Sequence, residues 1–172
     1  MQKDTYGAGA VRYTYFGSPV GDIMLVGDDA GLRLIALPLG SEKRKPEPNW
    51  IADARPFRPV ARQLTEYFDG TRRTFDVNLV IEGTAFQKTV WRALQDIPYG
   101  ETVSYMGLAC RIGRPSASRA VGSANGANPF PIVIPCHRVV GKTGALTGYT
   151  GGVRWKKMLL ELENAFPPEP KE

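Results

Sequence analysis

Two runs of strand-favouring residues, 11–16 and 22–26, open the chain, and Gly17-Ser18-Pro19 between them has turn chemistry; together they predict a hairpin. Residues 32–37 predict a third strand. Residues 40–56 are polar, hold Pro46, Pro48 and Pro56, and predict a flexible surface loop. Over 60–68 the pattern turns helical, with Leu64, Tyr67 and Phe68 on one side and Gly70 as a stop. Phe75, Val77, Leu79 and Ile81 then alternate with other positions as in a half-buried strand.

The style changes near Glu82-Gly83. Thr84 can cap a helix carrying Phe86, Val90, Leu94 and Ile97 at helical spacing, ended by Pro98. Residues 103–112 predict a second helix, broken by Gly113-Arg114-Pro115. Ser116 can cap a third, running to Ala124 and ended by Asn125-Gly126. Helix, short glycine-containing turn, helix is the pattern of a helix-turn-helix, and also of many other αα-hairpins. A last helix over 154–165 carries Trp155, Met158, Leu159, Leu162 and Phe166 as its apolar stripe. At about 100° per residue, Glu163 falls on the margin of that stripe and Glu161 points away from it. The pattern gives an α+β amino-terminal domain over 1–82, a mainly helical domain over 83–166, and a disordered tail over 167–172.

Charge sharpens this division. Residues 1–83 hold 11 Lys/Arg and 11 Asp/Glu, whereas residues 84–160 hold 10 Lys/Arg against Asp96 and Glu101, a net +8. Such an excess in one half fits a solvated basic face or a polyanion partner. The start lacks the apolar segment of a signal peptide, and no stretch is long enough to span a membrane. With two cysteines and one histidine there is neither a disulfide framework nor a four-ligand zinc site, so a reducing, cytoplasmic setting is expected and no metal or cofactor is implied.

The chemistry concentrates in Asn128-Pro-Phe-Pro-Ile-Val-Ile-Pro-Cys-His-Arg-Val-Val140. His137, the only histidine, stands next to Cys136. A nucleophilic cysteine must become a thiolate; an imidazole can take its proton and a carboxylate can orient the imidazole. Neighbours in an extended segment point to opposite faces, so either the backbone bends here or a water bridges the pair. A buried cysteine beside a satisfied histidine is the competing structural reading. Cys110, mid-helix with no partner in view, reads as a small core residue.

Pro135-Cys136-His137-Arg138-Val139 resembles the active-site signature of the O6-alkylguanine-DNA alkyltransferases. The likeness extends, in order, to Tyr99-Gly-Glu-Thr-Val-Ser-Tyr105, Ser118-Arg-Ala-Val-Gly122, Asn128-Pro129, Leu146-Thr-Gly-Tyr-Thr-Gly-Gly152 and Lys157-Met-Leu-Leu-Glu-Leu-Glu163. It covers about residues 84–164 and is loose over 10–80.

The resemblance implies an RNase H-like amino-terminal fold and a helix-turn-helix domain holding the active site. It implies irreversible, single-turnover transfer of an alkyl group from O6 of guanine, and from O4 of thymine, in duplex DNA. Cys136 would be the acceptor, His137 would deprotonate it through a water, Glu163 would hold His137, and Asn128 would brace the turn. Tyr105 would donate towards N3 of the flipped base and help rotate the nucleotide out. Arg119 would fill the vacated stack, with Ala117 and Ala120 allowing close approach to the minor groove. Backbone of Val139 and Cys136 would read the exocyclic amine, Tyr149 and Thr150 would line the pocket, and Lys156 would lie at its rim. The partner would be double-stranded DNA carrying O6-alkylguanine, bound by a monomer, with cooperativity along the DNA left open. Two rivals lack this resemblance: a cysteine hydrolase, which leaves the basic segment without a role, and a DNA-damage sensor without chemistry, which leaves the Cys-His pair without one.

Overall fold

The computed structural model describes residues 9–165, and the chain divides into two compact units, Met1–Ile81 and Glu82–Glu172. Phe166 and the tail over 167–172 lie outside the described residues.

In the first unit β1 (Arg12–Ser18), β2 (Gly21–Asp28) and β3 (Gly31–Ala36) form an antiparallel meander. A two-residue turn at Pro19-Val20 closes the hairpin at the expected place. Residues 23–27 of β2 are buried on both faces. Leu64 and Tyr67 of α1 (Arg58–Phe68) are fully buried with Ile23, Leu25 and Ile35, while Met24 and Val26 pack with Tyr13, Tyr15, Leu34 and Trp50. Trp50 explains a departure from the expected flexible loop. Within 40–56 the chain adds an edge strand, β4 (Ile51–Ala52), parallel to β1, giving the order β3-β2-β1-β4.

Residues 75–81 do not form the expected strand. Phe75, Val77, Leu79 and Ile81 are half-buried, as the alternation required, but backbone pairing is limited to one parallel bridge between Leu79 and Leu32. The segment is held instead by Gln63, whose amide donates to Asp76 O at 2.7 Å and accepts from Asp76 N at 2.8 Å. A polar residue buried in the helix face takes the place of a strand neighbour.

The second unit begins at α2 (Ala85–Gln95), closed by a capping box between Thr84 and Gln87. The predicted helix at 103–112 divides. Val103–Ser104 is β5, and only Tyr105–Arg111 is helical, as α3, with the Ser104 hydroxyl accepting from Gly107 N. Helix α4 (Ser118–Gly126) starts two residues after Ser116, with Ala117 at its cap and no side-chain cap bond; Asn125 and Gly126 lie inside it. Helices α3 and α4 pack together, and α4 packs on α2, where the Trp91 indole donates to Ala124 O at 2.8 Å in the core. Helix α5 (Val153–Leu162) closes the unit. Cys110, expected in the core, is exposed: Leu108 and Ala109 supply the buried face of α3. No helix among the described residues is long and apolar enough to cross a membrane.

Candidate active site

The segment 128–135 holds three prolines, which exclude both a helix and a central strand. It folds as an anchored loop, with Phe130, Ile132 and Ile134 buried as plugs. Asn128 is buried and spans it: its amide donates to Ile134 O at 2.8 Å, and its oxygen accepts from Phe130 N at 2.9 Å. Ile132 has φ +75°, a conformation that costs a β-branched residue about 1–3 kcal/mol and persists only where surroundings enforce it. Pro135 (φ −81°, ψ 65°) is the centre of an inverse γ-turn closed by Cys136 N donating to Ile134 O at 2.8 Å.

Cys136, His137 and Arg138 then make one 3-10 turn. The backbone therefore bends where an extended chain would have sent the two side chains apart. The turn leads into β6 (Val139–Val140), which pairs in parallel with β5. This two-residue ladder brings the start of α3, and so Tyr105, beside the Cys-His-Arg turn.

Cys136 is 1% exposed. Burial pushes its thiol above the usual range; Asn128, the Lys156 charge and the Tyr149 hydroxyl act in the opposite direction. His137 is fully buried, and Nε2 lies 2.7 Å from Glu163 Oε1. Burial raises the Glu163 carboxyl, but hydrogen bonds from His137 and Arg138, with the Arg138 charge, outweigh it and hold the group at about 2. A carboxylate can only accept, so Nε2 carries the hydrogen and the neutral ring presents its lone pair at Nδ1. Nδ1 has no hydrogen-bond partner among the described residues. Burial also lowers the basicity of His137, which favours that neutral ring.

Glu163 sits on the buried margin of α5, 2% exposed, while Glu161 is exposed and 3.8 Å from Lys157. Lys156, expected at a pocket rim, is fully buried instead. Its ammonium donates to Thr147 O at 3.2 Å and approaches the Tyr105 hydroxyl at 3.5 Å. Burial lowers its pKa to about 8, against an opposing pull from Cys136. Tyr105 is half-buried and donates to Thr147 O at 3.1 Å.

A cavity of about 430 Å³ opens between Tyr105, the α4 residues Gly122, Asn125 and Gly126, and the loop 147–150. That is the size range of small-molecule pockets. Tyr149 and Thr150 are among the residues that line it. Arg119 and Ala120 are exposed on α4, Ala117 is half-buried, and Val139 is buried. Arg119 makes no ion pair among the described residues.

Two functional candidates are absent from the sequence reading. Asn125, read as a helix stop, is buried in the cavity wall and donates to Cys136 O at 3.3 Å. Arg138 is buried and grips Glu163 twice, Nε to Oε2 at 2.9 Å and Nη2 to Oε1 at 3.0 Å. Its neighbourhood in the Cys-His-Arg triplet was the only signal for it.

Residues 11–81 match the ribonuclease-like domain of the 6-O-methylguanine DNA methyltransferases, and residues 85–165 match the DNA binding domain of the same proteins. Both halves thus define a single class, with the cysteine, histidine and carboxylate in its carboxy-terminal part. The methylated-DNA–protein-cysteine methyltransferase of Methanosarcina acetivorans is 49% identical over 153 residues, 89% of this chain and 98% of that one. The crystal structure of Mycobacterium tuberculosis O6-methylguanine methyltransferase matches with TM-score 0.82 and 46% identity, covering 92% of this chain and 95% of that one. A structure of Mycobacterium tuberculosis OGT in complex with DNA matches with TM-score 0.82 and 44% identity, over 91% of this chain and 95% of that one. The chain belongs to the methylated-DNA–protein-cysteine methyltransferase family.

Proposed function

We propose that this protein repairs alkylated DNA by moving the alkyl group from O6 of a flipped guanine onto Cys136, once per molecule. The observation that carries this reading is the buried series Glu163–His137, with Nδ1 of His137 unpartnered, on the same turn as Cys136 and beside an open cavity. The Cys136 proton passes to Nδ1 through a bridging water, and Glu163 accepts from Nε2–H as the ring becomes imidazolium. The thiolate attacks the alkyl carbon; the S–C bond forms, the C–O6 bond breaks, and its electron pair stays with the base. Tyr105 donates towards N3 so that guanine leaves neutral, exchanging its bond to Thr147 O for one to the base. The Lys156 ammonium next to that hydroxyl steadies the charge left on Tyr105.

The cavity takes the base because the target atom is unreachable inside a duplex. Its exocyclic amine is read by backbone at 136 and 139. The Cys136 carbonyl already accepts from Val139 N and Asn125, so a base amine displaces the 3.3 Å side-chain bond from Asn125. Arg119, exposed in the first turn of α4 and without an ion pair among the described residues, fills the vacated stack, while Ala117 and Ala120 let the helix approach the minor groove. The basic second half supplies sequence-independent phosphate binding, by a monomer, in the cytoplasm where the DNA lies. O4-alkylthymine is a second substrate by the same chemistry.

The deciding experiment incubates the protein with an oligonucleotide carrying one O6-methylguanine and measures intact mass and tryptic peptides. One added methyl, about 14 Da in place of a hydrogen, on the Cys136 peptide supports transfer. Bound DNA with no mass change supports a sensor instead.

A further inference from the structure

The network around Glu163 is asymmetric in a way that the transfer reaction alone does not require. Oε1 accepts from both His137 Nε2 at 2.7 Å and Arg138 Nη2 at 3.0 Å, and Oε2 accepts from Arg138 Nε at 2.9 Å. Gly100 N approaches Oε2 at 3.4 Å. The remaining terminal nitrogen of Arg138, Nη1, donates to Ile97 O at 2.5 Å. Arg138 is therefore fixed at one end to the segment after α2 and at the other to the end of α5, with Glu163 held flat between. A two-point guanidinium–carboxylate contact fixes orientation as well as charge.

A carboxylate beside an imidazole raises its basicity, in opposition to the burial that lowers it. Here a second, permanent cation shares the carboxylate. We propose that Arg138 is a positioning residue for alkyl transfer: by clamping both oxygens of Glu163 it orients the carboxylate towards His137 and balances its charge, so that the imidazole stays a neutral proton acceptor. The charged groups acting on His137 are Glu163 and Lys156 from the last helix and its end, and Arg138 from its own turn, where Cys136 is its chain neighbour. Arg138 and Lys156 both act to lower the basicity of His137, and only Arg138 also binds the group that raises it. This inference rests on His137 being the base that takes the Cys136 proton.

Because His137 is the only histidine, its ring-proton NMR signal reports its titration without ambiguity and without any DNA. In the unmodified protein the ring is expected to be neutral at pH 7, with a midpoint below that of an ordinary histidine. Arg138→Gln removes the balancing charge, and the midpoint is expected to rise by about one unit. The acid limb of the alkyl-transfer rate should move up with it by the same interval, read as the shift of the limb's midpoint along the pH axis. Arg138→Lys keeps the charge and loses the two-point grip; it should leave the midpoint near that of the unmodified protein while slowing transfer at every pH. A merely structural role would lower the rate evenly and leave both the midpoint and the limb in place, and that result overturns the proposal. So does an imidazolium at pH 7 in the unmodified protein, a measurement that needs no variant to fold. If instead His137→Ala retained full transfer to Cys136, the reading of His137 as base would fail, whatever Arg138 does to its titration.

Discussion

Replacing Glu163 by glutamine keeps the shape of the side chain and removes its charge, and the structure sets the size of the effect. The carboxylate accepts from His137 once and from Arg138 twice, with Gly100 N at 3.4 Å, all nitrogen donors. An amide offers one oxygen and turns an NH2 group towards donors, so at least one bond is lost and Arg138 is left as a buried charge without its partner. Breaking one side of a buried ion pair costs about 3–5 kcal/mol. Linkage gives a similar figure: a carboxyl lowered from 4.5 to about 2 corresponds to roughly 3 kcal/mol. That second figure is an upper bound on what the Arg138 contact contributes, because the hydrogen bond from the neutral His137 ring shares in the lowering. Arg138 then supplies the Coulombic share. Since the folded value lies below the unfolded one, this stability is complete above about pH 4.5 and is lost as pH falls towards 2. Glu163→Gln is expected to lower stability at pH 7 by about 3 kcal/mol, a melting shift of roughly 6–12 °C, and to slow transfer at least tenfold. Glu161→Gln is the control: that residue is exposed and its i,i+4 contact with Lys157 spans 3.8 Å, so its loss should cost under about 0.5 kcal/mol. Urea unfolding of both variants, with single-turnover transfer rates, tests the argument. Equal losses, or a larger loss at Glu161, would refute the burial reasoning.

Cys136→Ser should abolish transfer, read by mass, and leave DNA binding unchanged in a gel-shift titration; residual transfer would move the acceptor elsewhere. Arg119→Ala should weaken repair of duplex DNA about tenfold, with less than a twofold effect on reaction with free O6-benzylguanine; equal losses would count against a flipping role. Lys156→Met should stabilise the fold by about 1–3 kcal/mol at pH 7, because it removes a buried ammonium, while slowing transfer. The unmodified protein, whose Lys156 titrates near 8 when folded and 10.5 otherwise, should gain stability between those values; urea unfolding across that range should show a slope that the methionine variant lacks.

The strongest local patterns in the sequence carried over into structure. The capping box at Thr84, the hairpin turn and the face of α5 that buries Glu163 all depend on neighbours within a few residues. What sequence periodicity missed depends on distant partners. Val103–Ser104 looks like the first turn of a helix until Val139–Val140 pairs with it. Residues 75–81 alternate as a strand should, but Gln63 claims their backbone. Asn125 has the propensity of a helix stop, yet its amide is tied to the carbonyl of Cys136. The resemblance implies Lys156 at the pocket's rim, and the site draws it inside. Cys110 was judged by its small apolar side chain, although the helical period already turns it away from Leu108 and Ala109.

The near-complete burial of Cys136 also bears on chemical shelf life. A protein spent by one reaction is lost as surely to a stray oxidant or electrophile as to its substrate. Here the residue is 1% exposed and its thiol is held above the usual range by burial, so little reactive thiolate meets solution. Cys110 stands in the open and takes the first encounter with any thiol reagent. The same enclosure that makes Cys136 slow towards small oxidants leaves it dormant until a base of the right shape enters the neighbouring cavity.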